Sequence, residues 1–145
     1  MVKQTIDTVR IERAIGEAER GTSGELRVSV APFFWGNVRA MAERAFVRMG
    51  MDRTRDRNAV LFLVVPRRRK FVVLGDVGIH EKVGQKTWDS VAHALEEHCR
   101  KGDLTGALEH GIREVGARLA EHFPLADRDD NELPNEVDLH PRQRP

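Results

Sequence analysis

Seven consecutive apolar residues, Ala59-Val-Leu-Phe-Leu-Val-Val65, interrupt a chain whose other apolar positions recur in periods. A short run without alternation reads as a strand buried on both faces, hence the centre of a sheet. The basic turn Pro66-Arg-Arg-Arg-Lys70 follows, then Phe71-Val-Val-Leu74, closed by the turn Gly75-Asp-Val-Gly78. This pattern predicts an antiparallel hairpin that brings Asn58 back beside Asp76 and Val77. Upstream, Glu25 to Val30 alternates. Leu26, Val28 and Val30 fall on one face and Glu25, Arg27 and Ser29 on the other, which predicts a half-buried strand.

The remaining apolar positions have helical spacing. Ile11, Ala14, Ile15 and Ala18 predict a helix from about Thr8 to Arg20, capped by Asp7 or Thr8 and broken at Gly21-Thr-Ser-Gly24. Asn37 opens a second helix through Val38, Met41, Ala42, Ala45, Phe46 and Met49, ended by Gly50. Met51 to Asn58 is a charged loop. A third helix begins near Thr87 and turns Trp88, Val91, Ala92, Leu95 and Cys99 inward. Asp103 caps a fourth, whose stripe runs from Leu104 to Phe123 before Pro124 stops it. Gly111 and Gly116 inside that helix cost roughly 1 kcal/mol each in propensity. Close packing against a neighbour is the usual compensation.

A helix between the strands at 25–30 and 59–65 makes a parallel, right-handed crossover the default. The expected fold class is α/β: a single-domain α/β/α sandwich with a small mixed β-sheet flanked by helices, spanning residues 1–124. Residues 125–145 are polar, with prolines at 134, 141 and 145, and read as a flexible tail. Parallel pairing sets strand starts at one end of the sheet. Thr22, Ser23 and Glu25 should therefore lie near Asp56 and Asn58, and the hairpin adds Asp76.

Composition narrows the function classes. The formal net charge of +1 divides unevenly along the chain. Residues 1–125 hold 21 Lys and Arg against 17 Asp and Glu, a net of +4, while residues 126–145 hold 3 against 6, a net of −3. Neither value suggests a nucleic-acid binder. The single cysteine, Cys99, excludes an internal disulfide and sits on an apolar stripe as a small core residue. No signal-peptide core and no membrane-length apolar stretch is read, so the expected setting is cytoplasmic.

Hard cations such as Ca²⁺ and Mg²⁺ take several oxygens. Glu25, Asp56, Asn58 and Asp76 could supply them from one sheet edge, or could cap strand ends and pair with Arg27, Arg55 and Arg57. His80 follows the Gly75–Gly78 turn and is a candidate binding residue. Phe33, Phe34 and Trp35 form an aromatic loop in which Phe34 and Trp35 are candidates for contacting a protein partner. Arg67 to Lys70 could contact phosphate or an anionic surface, at the end of the sheet opposite the carboxylates. Asp127-x-Asp129-x-Asn131 imitates the opening of a calcium loop, but Glu132 stands where its glycine belongs.

The ordered set of segments resembles the TPM domain family, which includes thylakoid-lumen phosphatase-like proteins implicated in photosystem II repair and many bacterial relatives. The matching segments are Ile11-Glu-Arg-Ala-Ile15, Thr22-Ser-Gly-Glu-Leu-Arg-Val28, Arg57-Asn-Ala-Val-Leu-Phe-Leu63, Phe71-Val-Val-Leu-Gly-Asp-Val-Gly-Ile79, Trp88, and Gly102-Asp-Leu-Thr-Gly-Ala-Leu-Glu-His-Gly-Ile112. The chain is similar to short, stand-alone bacterial members. The resemblance implies an α/β sandwich and two activities: acid phosphatase, or binding of a divalent cation, calcium in particular. Many members carry Asp-Asn-Gly before the central strand, where this chain has Arg57-Asn58-Ala59. Many carry Gly-x-Gly-Leu-Glu after the hairpin, where it has Asp76-Val-Gly-Ile-His80.

No nucleophile with a phosphate cradle is present in the sequence. The expected function is therefore a non-catalytic module that binds a divalent cation, a protein partner, or both. The alternative is a metal-assisted acid phosphatase acting on phosphomonoesters, with Asp56 and Asp76 as ligands and a bound water as nucleophile.

Overall fold

Alternation along the strands sends side chains to two separate cores. In the computed structural model, which describes residues 6–125 and 135–139, the elements run α1 (Thr8–Glu19), β1 (Glu25–Val30), α2 (Val38–Arg48), β2 (Ala59–Val65), β3 (Lys70–Gly75), α3 (Val77–Val83), α4 (Gln85–Cys99), α5 (Leu104–His122) and β4 (Asp138–Leu139). They build one sheet in the order β3-β2-β1-β4. β1 and β2 are parallel, with Glu25 opposite Ala59 and Val30 opposite Val64. β2 and β3 form the antiparallel hairpin, with Val60 opposite Gly75 and Val65 opposite Lys70. The mixed sheet and the parallel crossover are those expected.

Leu26, Val28, Val60, Phe62, Val64, Phe71 and Val73 face the larger core, beneath α1, α4 and α5. Leu61, Leu63, Val65 and Val72 face the opposite way, onto Met41, Ala42, Ala45 and Phe46 of α2. Helices on both faces explain why every residue of β2 is buried. The two helical glycines sit where α5 is most closely approached. A Cβ on Gly111 would lie 2.7 Å from the Leu95 side chain, and one on Gly116 would lie 2.8 Å from Ala18 Cβ. Their propensity cost is thus exchanged for close helix packing.

Three features depart from the sequence reading. β1 is buried on both faces, not one. Its polar face survives burial through partners: the Arg27 side chain, 1% exposed, donates to Glu19 Oε2 at 2.7 Å and to Glu25 Oε1 at 3.3 Å. The Gly75–Gly78 turn instead opens α3, a helix too short for periodicity to reveal. Finally, Asp138–Leu139, read as part of a loose tail, pairs in parallel with β1 through Ser29 and Val30. The Ser29 hydroxyl and the Arg48 guanidinium both donate to the Asp138 carboxylate, at 2.8 Å each at the closest. Glu12 accepts the Val137 N–H at 3.2 Å. The calcium-loop-like residues 127–131 lie outside the described residues. Among the described residues, no helix is long and apolar enough to cross a membrane.

Candidate functional site

The β3–α3 corner is clamped onto the turn that precedes β2. Asp76 N–H donates to Ala59 O at 2.9 Å, and Gly78 N–H donates to Arg57 O at 2.8 Å. Glycine is required at 78, because a Cβ there would lie 2.2 Å from the backbone oxygen of Asp56. Asp76 is the N-cap of α3; its Oδ1 accepts the Val77 N–H at 2.8 Å. Arg57 then reaches the same carboxylate with two donors, Nε to Oδ2 at 2.5 Å and Nη2 to Oδ1 at 2.9 Å. This fork-on-fork arrangement is the strong form of an ion pair. Asp76 is 6% exposed as a side chain and Arg57 44%, so the carboxylate is fixed and the guanidinium fronts solvent. The hydrogen bonds to Asp76, and then the attraction of its charge, hold the Arg57 guanidinium above the ordinary arginine range. Arg57 adopts φ 52°, a left-handed conformation rare for a residue with a Cβ, and the two backbone clamps and the ion pair keep it there.

The other expected edge residues divide. Register places Glu25 and Asn58 at the Asp76 end of the sheet, as anticipated. Asn58 donates to Ser23 Oγ at 3.2 Å, which confirms the meeting of the two strand starts. Glu25, 4% exposed as a side chain, is bound to Arg27. Asp56 is exposed in the turn. As they stand, these donors do not fit a hard cation, which takes about six to eight oxygens. The Asp76 oxygens are taken by Arg57 and Val77, and Glu25 by Arg27. Among the described residues, no group of three or more His, Cys, Asp and Glu side chains could hold a metal ion.

Asp76 and Arg57 instead form part of the wall of a cleft of about 460 Å³ between α2, α3 and the start of α4. Phe46, Leu74 and Trp88 give it an apolar lining, and Asp52, His80 and Gln85 add polar groups. Val47 and Val77, 57% and 51% exposed, stand at its rim. Trp88, only 2% exposed, donates its indole N–H to His80 Nδ1 at 3.0 Å. Nδ1 must accept that bond, so neutral His80 carries its proton on Nε2. Gly75 makes room for the indole; a Cβ there would lie 2.3 Å from the Trp88 ring. His80 is therefore brought to the site, as its place after the hairpin suggested. The pairing with Trp88 and the contribution of α2 were not legible. Trp88 read only as a core residue, and nothing in the spacing of Phe46 and Val47 points to a cleft.

The aromatic loop sits at the other end of the sheet. Phe34 is 9% exposed and packs in the α2-side core, while Trp35 is 70% exposed. Of the two aromatic candidates, only Trp35 stands at the surface.

A model of the TPM domain matches residues 4–118. The BA42 protein of the psychrophilic bacterium Bizionia argentinensis has a solved structure 31% identical to this chain, with a TM-score of 0.85, over 97% of this chain and 99% of that one. The N-terminal domain of the cg2496 protein from Corynebacterium glutamicum is 16% identical with a TM-score of 0.60, over 77% of this chain and 70% of that one, and shares the fold. No curated protein matches the chain. The family model covers β1 to β3 and nearly all the helical layer, including every wall of the cleft, and the chain belongs to the TPM domain family.

Proposed function

We propose that this domain is a non-catalytic binding module whose ligand, a protein or peptide segment, lays an apolar side chain in the cleft between α2, α3 and α4. The observation that carries the reading is the cleft's construction. Its rim is two exposed valines, its apolar lining is Phe46, Leu74 and Trp88, and of its acidic groups Glu43, Asp52 and Asp76, the buried Asp76 is occupied by Arg57. A cleft of this size lies within the range that holds ligands, about 300–1,000 Å³. Arg39, Glu43, Asp52, Arg57, His80 and Gln85 supply the polar groups that orient what enters.

The metal-assisted phosphatase is the competing reading, and it needs Asp76 as an open ligand. Cation binding there requires Arg57 to release the carboxylate. The test is a titration of isotopically labelled protein with 8-anilinonaphthalene-1-sulfonate as an apolar probe. Amide shifts gathered at Val47, Leu74, Val77 and His80, and lost in Val77→Glu, support the binding module. Absence of those shifts, together with para-nitrophenyl phosphate turnover that needs Ca²⁺ or Mg²⁺ and disappears in Asp76→Asn, would replace it with the phosphatase.

A further inference from the structure

The parallel pairing of β1 and β2 brings two segments together that are far apart in the chain. The loop 31–37 leaves the end of β1, and the turn 66–69 leaves the end of β2. Two contacts bind them. Arg68 Nη1 donates to Gly36 O at 2.6 Å, and the Arg67 guanidinium lies 4.7 Å from the centre of the Phe33 ring. Phe34 anchors the loop from below, buried against Met41, Leu63 and Val72. Gly36 is needed for that anchor, since a Cβ there would meet the Phe34 ring at 2.7 Å. The base of the loop is thus pinned and Trp35 projects from it.

A lone exposed tryptophan asks for no explanation. Its setting does. Arg67 and Arg68 hold the loop that carries it, Arg69 and Lys70 follow them directly, and none of the four forms an ion pair with a carboxylate among the described residues. Arg10, Arg27, Arg48 and Arg57 all do. Other arginines, Arg39 and Arg113 among them, also lack an ion pair among the described residues, but only here do four Lys and Arg follow one another, so the turn concentrates uncompensated positive charge. Tryptophan is the side chain best suited to the boundary between water and acyl chains, and clustered Lys and Arg are drawn to anionic headgroups.

We propose that the Trp35 tip and the Arg67–Lys70 turn together dock the domain on an anionic membrane surface, with Trp35 entering the headgroup region. A single projecting ring beside a run of four cations fits a flat, negatively charged sheet. A single-stranded nucleic acid needs a basic groove with successive stacking platforms, and the other aromatics of this loop are engaged, Phe34 in the core and Phe33 beneath Arg67. The cleft lies at the opposite end of the sheet and stays open when this end is docked. The proposal is independent of the reading given to that cleft.

The test is co-sedimentation of the full chain with vesicles of phosphatidylcholine alone and of equal parts phosphatidylcholine and phosphatidylserine, followed by tryptophan emission. Sedimentation with the anionic vesicles only, weakened by salt and accompanied by a blue shift, is the expected result. Trp88 is already buried, so the shift reports Trp35. Trp35→Ala should abolish the shift, and Arg69→Glu should weaken binding at least about fivefold, both with an unchanged thermal midpoint, because both side chains are exposed. Absence of binding to anionic vesicles, or equal binding by the wild type and Trp35→Ala, overturns the proposal. So does binding of an oligothymidylate that Trp35→Ala removes while vesicles remain unbound.

Discussion

Arg57 and Asp76 are nineteen positions apart in sequence and joined by two hydrogen bonds of 2.5 and 2.9 Å. The pair ties the start of β2 to the end of β3 and to the first turn of α3. It also places a resident cation on the carboxylate that any metal bound at this corner would need. Calcium or magnesium added at about 1 mM, the weak end of the calcium range, should leave the Asp76 and Val77 amides of the wild type unmoved. Arg57→Asn frees the carboxylate and suits the left-handed backbone at that position. It should make those amides respond to metal. Shifts of equal size in both proteins would show that Arg57 does not guard the site.

Asp76 also caps α3, and its loss is felt there. Asp76→Ala should lower stability by about 1 kcal/mol from the cap alone. Urea unfolding measures the loss. Hydrogen exchange should localise it to the Ile79 and His80 amides, with α5 unaffected.

His80 gives the buried Trp88 indole its acceptor. His80→Ala should cost about 1–3 kcal/mol by leaving that N–H unsatisfied. The Trp88 Nε1–H resonance should also exchange faster with solvent. Its retention at the wild-type rate would mean that another acceptor takes over.

The glycines divide by what surrounds them. Nothing lies within 4 Å of a Cβ at Gly16 in α1, so Gly16→Ala should stabilise the protein by about 0.5–1 kcal/mol. At Gly78 the obstacle is backbone at 2.2 Å, which cannot turn aside as a side chain would. Gly78→Ala should cost about 1–3 kcal/mol and loosen the corner that carries Asp76. Thermal melts of the two variants should move in opposite directions.

Neighbouring aromatics should behave just as differently. Phe34→Ala empties a core position and should cost about 3–5 kcal/mol, which makes it unsuitable for probing a surface. Trp35→Ala should stay within about 0.5 kcal/mol of the wild type. A large loss at Trp35 would show that the loop is not seated as described.

Local pattern carried most of the fold. The unbroken run at 59–65 could only be satisfied between two helical layers, and the alternation at 25–30 fixed which side chains shared a face. Helical stripes placed α1, α2, α4 and α5 within a few residues of their observed ends. These are short-range consequences of burying apolar side chains at period 2 or 3.6, so they can be read along the chain. The meeting of Ser23, Asn58 and Asp76 followed from one topological rule added to that pattern. What lay beyond reach were choices among partners. Asp76 had three arginines nearby in the reading and took Arg57. Glu25 and Arg27 were assigned to a wet face, but both are buried, with Arg27 bound to Glu19 and Glu25. Asp138 returned from a polar segment to close the edge of β1. Each choice depends on where a charged side chain finds its counter-charge in space, and that distance is set by how distant elements pack.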